Sequence, residues 1–251
     1  MHSFVLALTS LIVLGGGAEK PEARAGVDIC LFMRGAAAVP AASVLKPVQE
    51  AVAAGDLTGA LVVFRETAVR LEAEAQRLFF DGGEGRSAQE PAPRDDRGDG
   101  PGLVTASLEP RDAARAFLDE HVYAKTGMLA IRGDRFSLRS DVASFGAWLS
   151  CRCGDLAFGI ALLKGGWRDF ADSGFRTDAA FLMAAFGQDA DARTYLPEGV
   201  DGERETLARG LLACRSGNAD EGKTLLNKAL ETLKDLQVRG AARQMLEGCG
   251  K

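Results

Sequence analysis

Four stretches of this chain superimpose on a glycine, and that coincidence limits the fold more than any other feature of the sequence. They read AAGDLTGALVVF around Gly55, CRCGDLAFGIALL around Gly154, AAFGQDADARTYL around Gly187 and CRSGNADEGKTLL around Gly217. Five residues after each glycine stands a small residue (Ala60, Gly159, Ala192, Gly222), and four further on a large apolar one (Phe64, Leu163, Leu196, Leu226). This order suits two helices joined by a tight turn. The glycine accepts the backbone conformation that ends the first helix, the small residue lets the helices approach, and the apolar residue fills their shared core. The glycines lie 99, 33 and 30 residues apart, and a period near 33 falls in the range of helical solenoid repeats.

Apolar periodicity points the same way. Leu57, Ala60, Leu61, Phe64, Ala68, Leu71, Ala75 and Leu78 recur at steps of three and four, the pattern of one buried helical face. The segment from Ala42 to Ala54 is also helix-compatible, so the two make a hairpin broken at Gly55-Asp56. Val142, Phe145, Gly146 and Leu149 form a second stripe after a Ser140 or Asp141 cap. Leu207, Leu211 and Cys214 form a third, continued beyond Gly217-Asn218 by Gly222, Leu225, Leu226, Ala229, Leu230 and Leu233. Strand signals are few: LVVF at Leu61 to Phe64 lies within a helical stripe, and MLAI at Met128 to Ile131 stands alone. An all-α fold is therefore expected.

The last unit, ETLARGLLACRSGNADEGKTLLNKALETL, carries small Gly210 in its first helix, Gly222, Leu226 and the closing Ala229-Leu230. In this it resembles the tetratricopeptide repeat family, with Gly222 where the family prefers Ala. The likeness extends over Ser140 to Leu236 and more weakly over Val44 to Leu71. Departures are the family's first-helix Trp or Leu, its Tyr and its terminating Pro, which are mostly missing, and Pro197 and Gly199, which cut one second helix early. The resemblance implies a curved stack of hairpins whose first helices line a groove for a peptide or partner helix. Arg152 and Arg209 would face such a groove, or be solvated charges. The alternative architecture is an irregular helical bundle whose turns use glycine as any bundle's do.

Two segments fall outside this pattern. Asp81 to Gly102 reads DGGEGRSAQEPAPRDDRGDGPG, with no large apolar side chain to offset its ordering entropy, and is expected to be a disordered linker over residues 81–104. The opening MHSFVLALTSLIVLGGGA places an apolar run, Phe4 to Leu14, before small residues, the arrangement of a signal peptide over residues 1–25 with cleavage after Ala18 or Ala25. The run is too short to span a bilayer, which needs about 20 residues. No Lys or Arg precedes it, so a buried helix of the mature fold is the other reading. The expected organisation is then a leader, an N-terminal hairpin over 26–80, the linker, and a repeat domain over 105–251.

Charge and cysteine content narrow the function classes. A net charge of -5 and a pI near 5.3 provide no basic field for phosphates, which argues against nucleic acid. Five cysteines are compatible with an oxidising compartment, too sparse for a disulfide scaffold, and odd in number, so at least one thiol is unpaired. Cys214 and Cys249 lie in consecutive helical segments and form a candidate disulfide; otherwise they are small buried apolar residues.

Several spellings suggest chemistry. Gly217 to Thr224, GNADEGKT, matches the P-loop pattern, in which Gly217 and Gly222 would open backbone amides to phosphate, Lys223 would pair with it and Thr224 would hold magnesium. A P-loop needs a preceding strand, whereas ETLARGLLACRS is helical in pattern, and Asp220 and Glu221 would set negative charge beside the phosphates. Arg132-Gly133-Asp134 spells an integrin tripeptide but reads as a simple turn. Cys151-x-Cys153 lacks partners for zinc, because His121 is the sole histidine beyond the leader. His121 edges the stripe of Ala114, Phe117 and Leu118, as a partly buried structural histidine would. No nucleophile elbow accompanies it, and carboxylates such as Asp119-Glu120 and Asp189 with Asp191 sit on polar faces. The expectation is an exported scaffold or assembly factor, periplasmic, envelope-located or secreted, binding a protein or peptide with no cofactor, metal, nucleic acid or transmembrane span. A P-loop nucleotide-binding protein and an exported helical enzyme with an unrecognised site are the alternatives.

Overall fold

The computed structural model describes residues 27–36, 39–79, 109–123, 127–132, 135–200 and 202–250. The expected leader over 1–25, the expected linker over 81–104 and Gly133-Asp134 of the tripeptide lie outside the described residues. The fold is all-α. In chain order its helices are α1 (Lys46–Ala53), α2 (Leu57–Phe79), α3 (Glu109–Leu118), α4 (Ser140–Cys153), α5 (Leu156–Phe170), α6 (Gly174–Ala185), α7 (Asp189–Tyr195), α8 (Glu203–Arg215), α9 (Ala219–Thr232) and α10 (Leu236–Gly248). Short 3₁₀ turns occupy Ile29–Phe32, Arg34–Ala36 and Ser43–Leu45.

The MLAI segment does not stand alone. Strand β1 (Leu129–Arg132) pairs antiparallel with β2 (Arg135–Leu138), Leu129 facing Leu138 and Arg132 facing Arg135. The partner strand, RFSL, alternates polar and apolar residues but over only four positions, too few to announce itself. It leads directly into α4, whose N-cap is Arg139 with no side-chain cap bond, rather than Ser140 or Asp141.

The pairs α1/α2, α4/α5, α6/α7 and α8/α9 are helical hairpins with one turn geometry. Gly55, Gly154, Gly187 and Gly217 all adopt positive φ, between 74° and 82°. At the first turn Gly55 N–H donates to the Val52 carbonyl at 3.0 Å and Asp56 N–H to the Ala51 carbonyl at 2.9 Å. The same two bonds, three and five residues back, recur at Gly154-Asp155, Gly187-Gln188 and Gly217-Asn218. This is the Schellman arrangement, which satisfies helix-end carbonyls and demands a left-handed residue that only glycine adopts without strain. The next helix then begins alike each time, with the N–H of Ala60, Gly159, Ala192 or Gly222 donating to the carbonyl just after the turn glycine.

Those small residues are buried where the paired helices touch. A Cβ on Gly222 would stand 2.4 Å from the Cys214 sulfur, and one on Gly159 3.1 Å from Ser150 of α4 as well as 2.6 Å from Leu182 of the next hairpin. Phe64, Leu163 and Leu226 fill the adjacent space, while Leu196 is only half-buried because α7 stops at Tyr195. Buried residues from Ile29 to Met245 form one contiguous core. Phe64 of the first hairpin packs edge-on against Phe145 and Phe158 of the second, with ring centroids 5.9 and 6.4 Å apart. Arg65 reinforces this junction, pairing with Asp155 and lying 4.5 Å over the Phe158 ring. Arg215 plays the equivalent part at the third turn, reaching Asp189 at 2.9 Å.

Candidate functional site: a peptide segment held on the first-helix face

The first helices α4, α6 and α8 stand side by side, and an irregular stretch over residues 28–36 packs on α4, α6 and α10. Its sequence, DICLFMRGA, has no helical or strand period, which is why it escapes a search for stripes. Asp28 starts the stretch by accepting a hydrogen bond from Cys30 N–H at 3.2 Å and pairing with Arg152 of α4. Ile29, Cys30, Phe32 and Met33 are buried, and Phe32 lies 5.5 Å from the Phe181 ring of α6. Cys30 is joined to Cys151 of α4 by a disulfide. Gly35 crosses α4 so closely that a Cβ there would stand 2.1 Å from the Ser144 carbonyl oxygen.

The polar anchor of the segment is Asp178 in α6, which is fully buried. One carboxylate oxygen accepts from Arg34 N–H at 3.0 Å and the other from Arg34 Nε at 2.8 Å. Arg204 of α8 also pairs with Asp178 and donates from Nε and Nη2 to the Phe32 carbonyl at 3.1 and 2.7 Å. Arg34 further pairs with Asp172 and lies 4.5 Å over the Phe175 ring. Two guanidinium groups thus meet two carboxylates, and the main chain of the segment is read at both a carbonyl and an N–H. Beside them Thr177 donates to Glu205 at 2.7 Å, a second buried polar link between α6 and α8.

Titration behaviour follows from this geometry. Burial works against the charged form of Arg34, but Asp178 and then Asp172 outweigh it and hold its pKa above the ordinary arginine value. Burial likewise pushes Asp172 upward, yet the Arg34 hydrogen bond, the Gly174 N–H and the nearby cations bring it below the usual carboxylate value.

The residues singled out in the sequence are distributed differently. Arg152 does not face an open groove, because it is committed to Asp28. Arg209 donates to the Pro197 and Val200 carbonyls at 2.7 and 3.0 Å, bracing the loop after α7. Cys214 and Cys249 are joined by a disulfide that fixes α10 to α8. Cys151 is bound to Cys30, so it cannot open a metal site with Cys153, which is a free half-buried thiol. Burial, followed by Asp155, pushes the Cys153 thiol above its usual value. His121 lies in a π turn with its ring 4.7 Å from Phe117.

Gly217 to Thr224 is a helix-to-helix turn, entered from α8 and leaving into α9. The Gly222 N–H is spent on the Asn218 carbonyl at 3.0 Å, and Thr224 donates to the Asp220 carbonyl at 2.9 Å. A phosphate-cradling loop presents its amides to a ligand instead.

One carboxylate elsewhere carries a pH dependence. Glu72 of α2 is pushed up to about 7, chiefly by burial and then by Asp169, with Arg168 opposing. Its folded-state value exceeds the ordinary glutamate value, so the stability it contributes is full below about pH 4.5 and is lost as pH rises through 7. Glu72→Gln is therefore expected to stabilise the fold by about 1–3 kcal/mol at pH 8 and to change little at pH 4.5. Urea unfolding at the two pH values measures this, and an equal effect at both would refute it.

No family model matches the chain, and neither the curated proteins nor the solved structures contain a match. The described residues include no helix long and apolar enough to cross a membrane.

Proposed function

We propose that this chain is a non-catalytic scaffold of an oxidising compartment, exported to the periplasm or cell envelope or secreted, which binds another protein or a peptide. The observation that carries this reading is the segment over 28–36 itself. It is held as a ligand would be held, through a buried aromatic, an arginine on a buried carboxylate and hydrogen bonds to its backbone. Ordinary core segments are retained by apolar contact alone more often than by a buried charged anchor, since desolvating ions is costly unless every partner is in place. The two disulfides favour an oxidising compartment, where such bonds persist. The likeness of the hairpins to tetratricopeptide repeats adds to the binding reading, because such stacks present their first helices to partners.

Chemical crosslinking in the native cell, followed by mass spectrometry, tests it. Crosslinks from lysines of this chain to a recurrent partner protein are expected, along with oxidised Cys30–Cys151 and Cys214–Cys249 and an alkylatable Cys153. Saturable nucleotide binding that disappears in Lys223→Ala would overturn the reading in favour of a P-loop protein.

A further inference from the structure

We propose that the face of α4, α6 and α8 is a sequence-reading site for segments of the type aromatic-x-Arg-Gly, and that residues 28–36 occupy it in cis as a built-in competitor. The proposal rests on the scaffold reading and names the chemistry of its ligand. The features that would read such a segment are specific. Phe181 receives the aromatic ring, with Phe32 now in place at 5.5 Å. Arg204 grips the carbonyl of that aromatic residue. Asp178 takes the backbone N–H and the guanidinium of the arginine two positions on, and Phe175 stacks under the same guanidinium. Ser144 and Phe145 leave no room for a side chain at the next position, which must be glycine, as Gly35 is.

Two observations separate this arrangement from ordinary core packing. Asp178 of α6 and Arg204 of α8 both belong to the helices and pair with each other, so the receiving groups hold one another when the segment is absent. The covalent hold is confined to one point, the Cys30–Cys151 disulfide. The other contacts, apolar through Ile29 and Met33 and ionic, aromatic or hydrogen-bonded through Phe32 and Arg34, are non-covalent and can be made by another chain. A competing segment therefore gains access only when the cis segment is released, which makes the site closed in the intact oxidised chain.

The test uses the full chain with a protease site inserted between Ala37 and Ala38, folded oxidised and then cut. A dithiol reductant next transfers two electrons and two protons to each of Cys30–Cys151 and Cys214–Cys249, yielding four thiols and two equivalents of oxidised reductant, and frees the segment. The probe is a labelled peptide of residues 27–36 with Ser in place of Cys30, followed by fluorescence anisotropy. Saturable binding is expected to the cut, reduced chain and not to the uncut, oxidised one. Phe32→Ala or Arg34→Ala in the peptide, or Asp178→Asn in the chain, should weaken it at least about tenfold. Retained helix by circular dichroism without binding would overturn the proposal, as would equal binding of all peptides. Loss of helix that added peptide does not restore would overturn it as well, by making the segment an inseparable part of the core. None of these failures touches the crosslinked partner of the intact chain, so the scaffold reading stands or falls separately.

Discussion

Asp178→Ala is expected to destabilise the fold by about 3–5 kcal/mol, the range for removing one partner of a buried ion pair. The size follows from what the carboxylate holds together. Asp178 is fully buried, and it binds Arg34 through both main chain and side chain while also pairing with Arg204. Removing it leaves two guanidinium groups facing each other with only Asp172 to balance them. Asp178→Asn keeps the shape but not the charge and should fall between the variant and the wild type. Asp172→Ala is the control: its side chain is 42% exposed, and surface pairs of this kind contribute about 0–1 kcal/mol. Equilibrium urea unfolding gives all three values, and similar midpoints for Asp178→Ala and Asp172→Ala would show that the buried carboxylate is not the anchor.

The same anchor explains what could and could not be read from the sequence. The hairpins were legible because a Schellman turn needs glycine and close helix packing needs a small residue at a fixed distance, and both constraints leave marks in one dimension. Gly55, Gly154, Gly187 and Gly217 share one backbone conformation and one pair of hydrogen bonds for that reason. The strand pair was only half visible, since four-residue strands carry too few alternations to count. Residues 28–36 left no periodic mark, because an irregular segment has no period and its partners, Cys151, Asp178 and Arg204, stand more than 100 residues away. A signal did exist in its composition. DICLFMRG combines a cysteine, an aromatic residue and two opposite charges within eight positions. The P-loop spelling illustrates the converse. Gly217 and Gly222 serve the turn and the helix contact, and Lys223 and Thr224 are exposed on α9, so packing alone accounts for a match that suggests chemistry.

Removing the Cys30–Cys151 disulfide as the double serine variant is expected to lower stability more than removing Cys214–Cys249. The first closes a loop with a sequence separation of 121 and the second one of 35. Constraint of the unfolded chain then accounts for about 5 and about 4 kcal/mol respectively, values that native contacts and residual unfolded structure bring down towards 2. The consequences should also differ in place. Cys214–Cys249 ties a C-terminal helix whose neighbours α8 and α9 already pack closely through Gly222, so its loss is expected to show first as faster amide exchange confined to α10. Cys30–Cys151 ties residues 28–36 across the centre of the molecule, and its loss should lower protection in α4 and α6 together, where the released segment covers Phe181 and Asp178. Thermal unfolding with hydrogen exchange by mass spectrometry distinguishes the two. An unchanged Tm and unchanged α6 protection in the Cys30→Ser, Cys151→Ser chain would mean that the Asp178 network alone retains the segment, and the peptide would then have to displace the arginine before it displaced anything else.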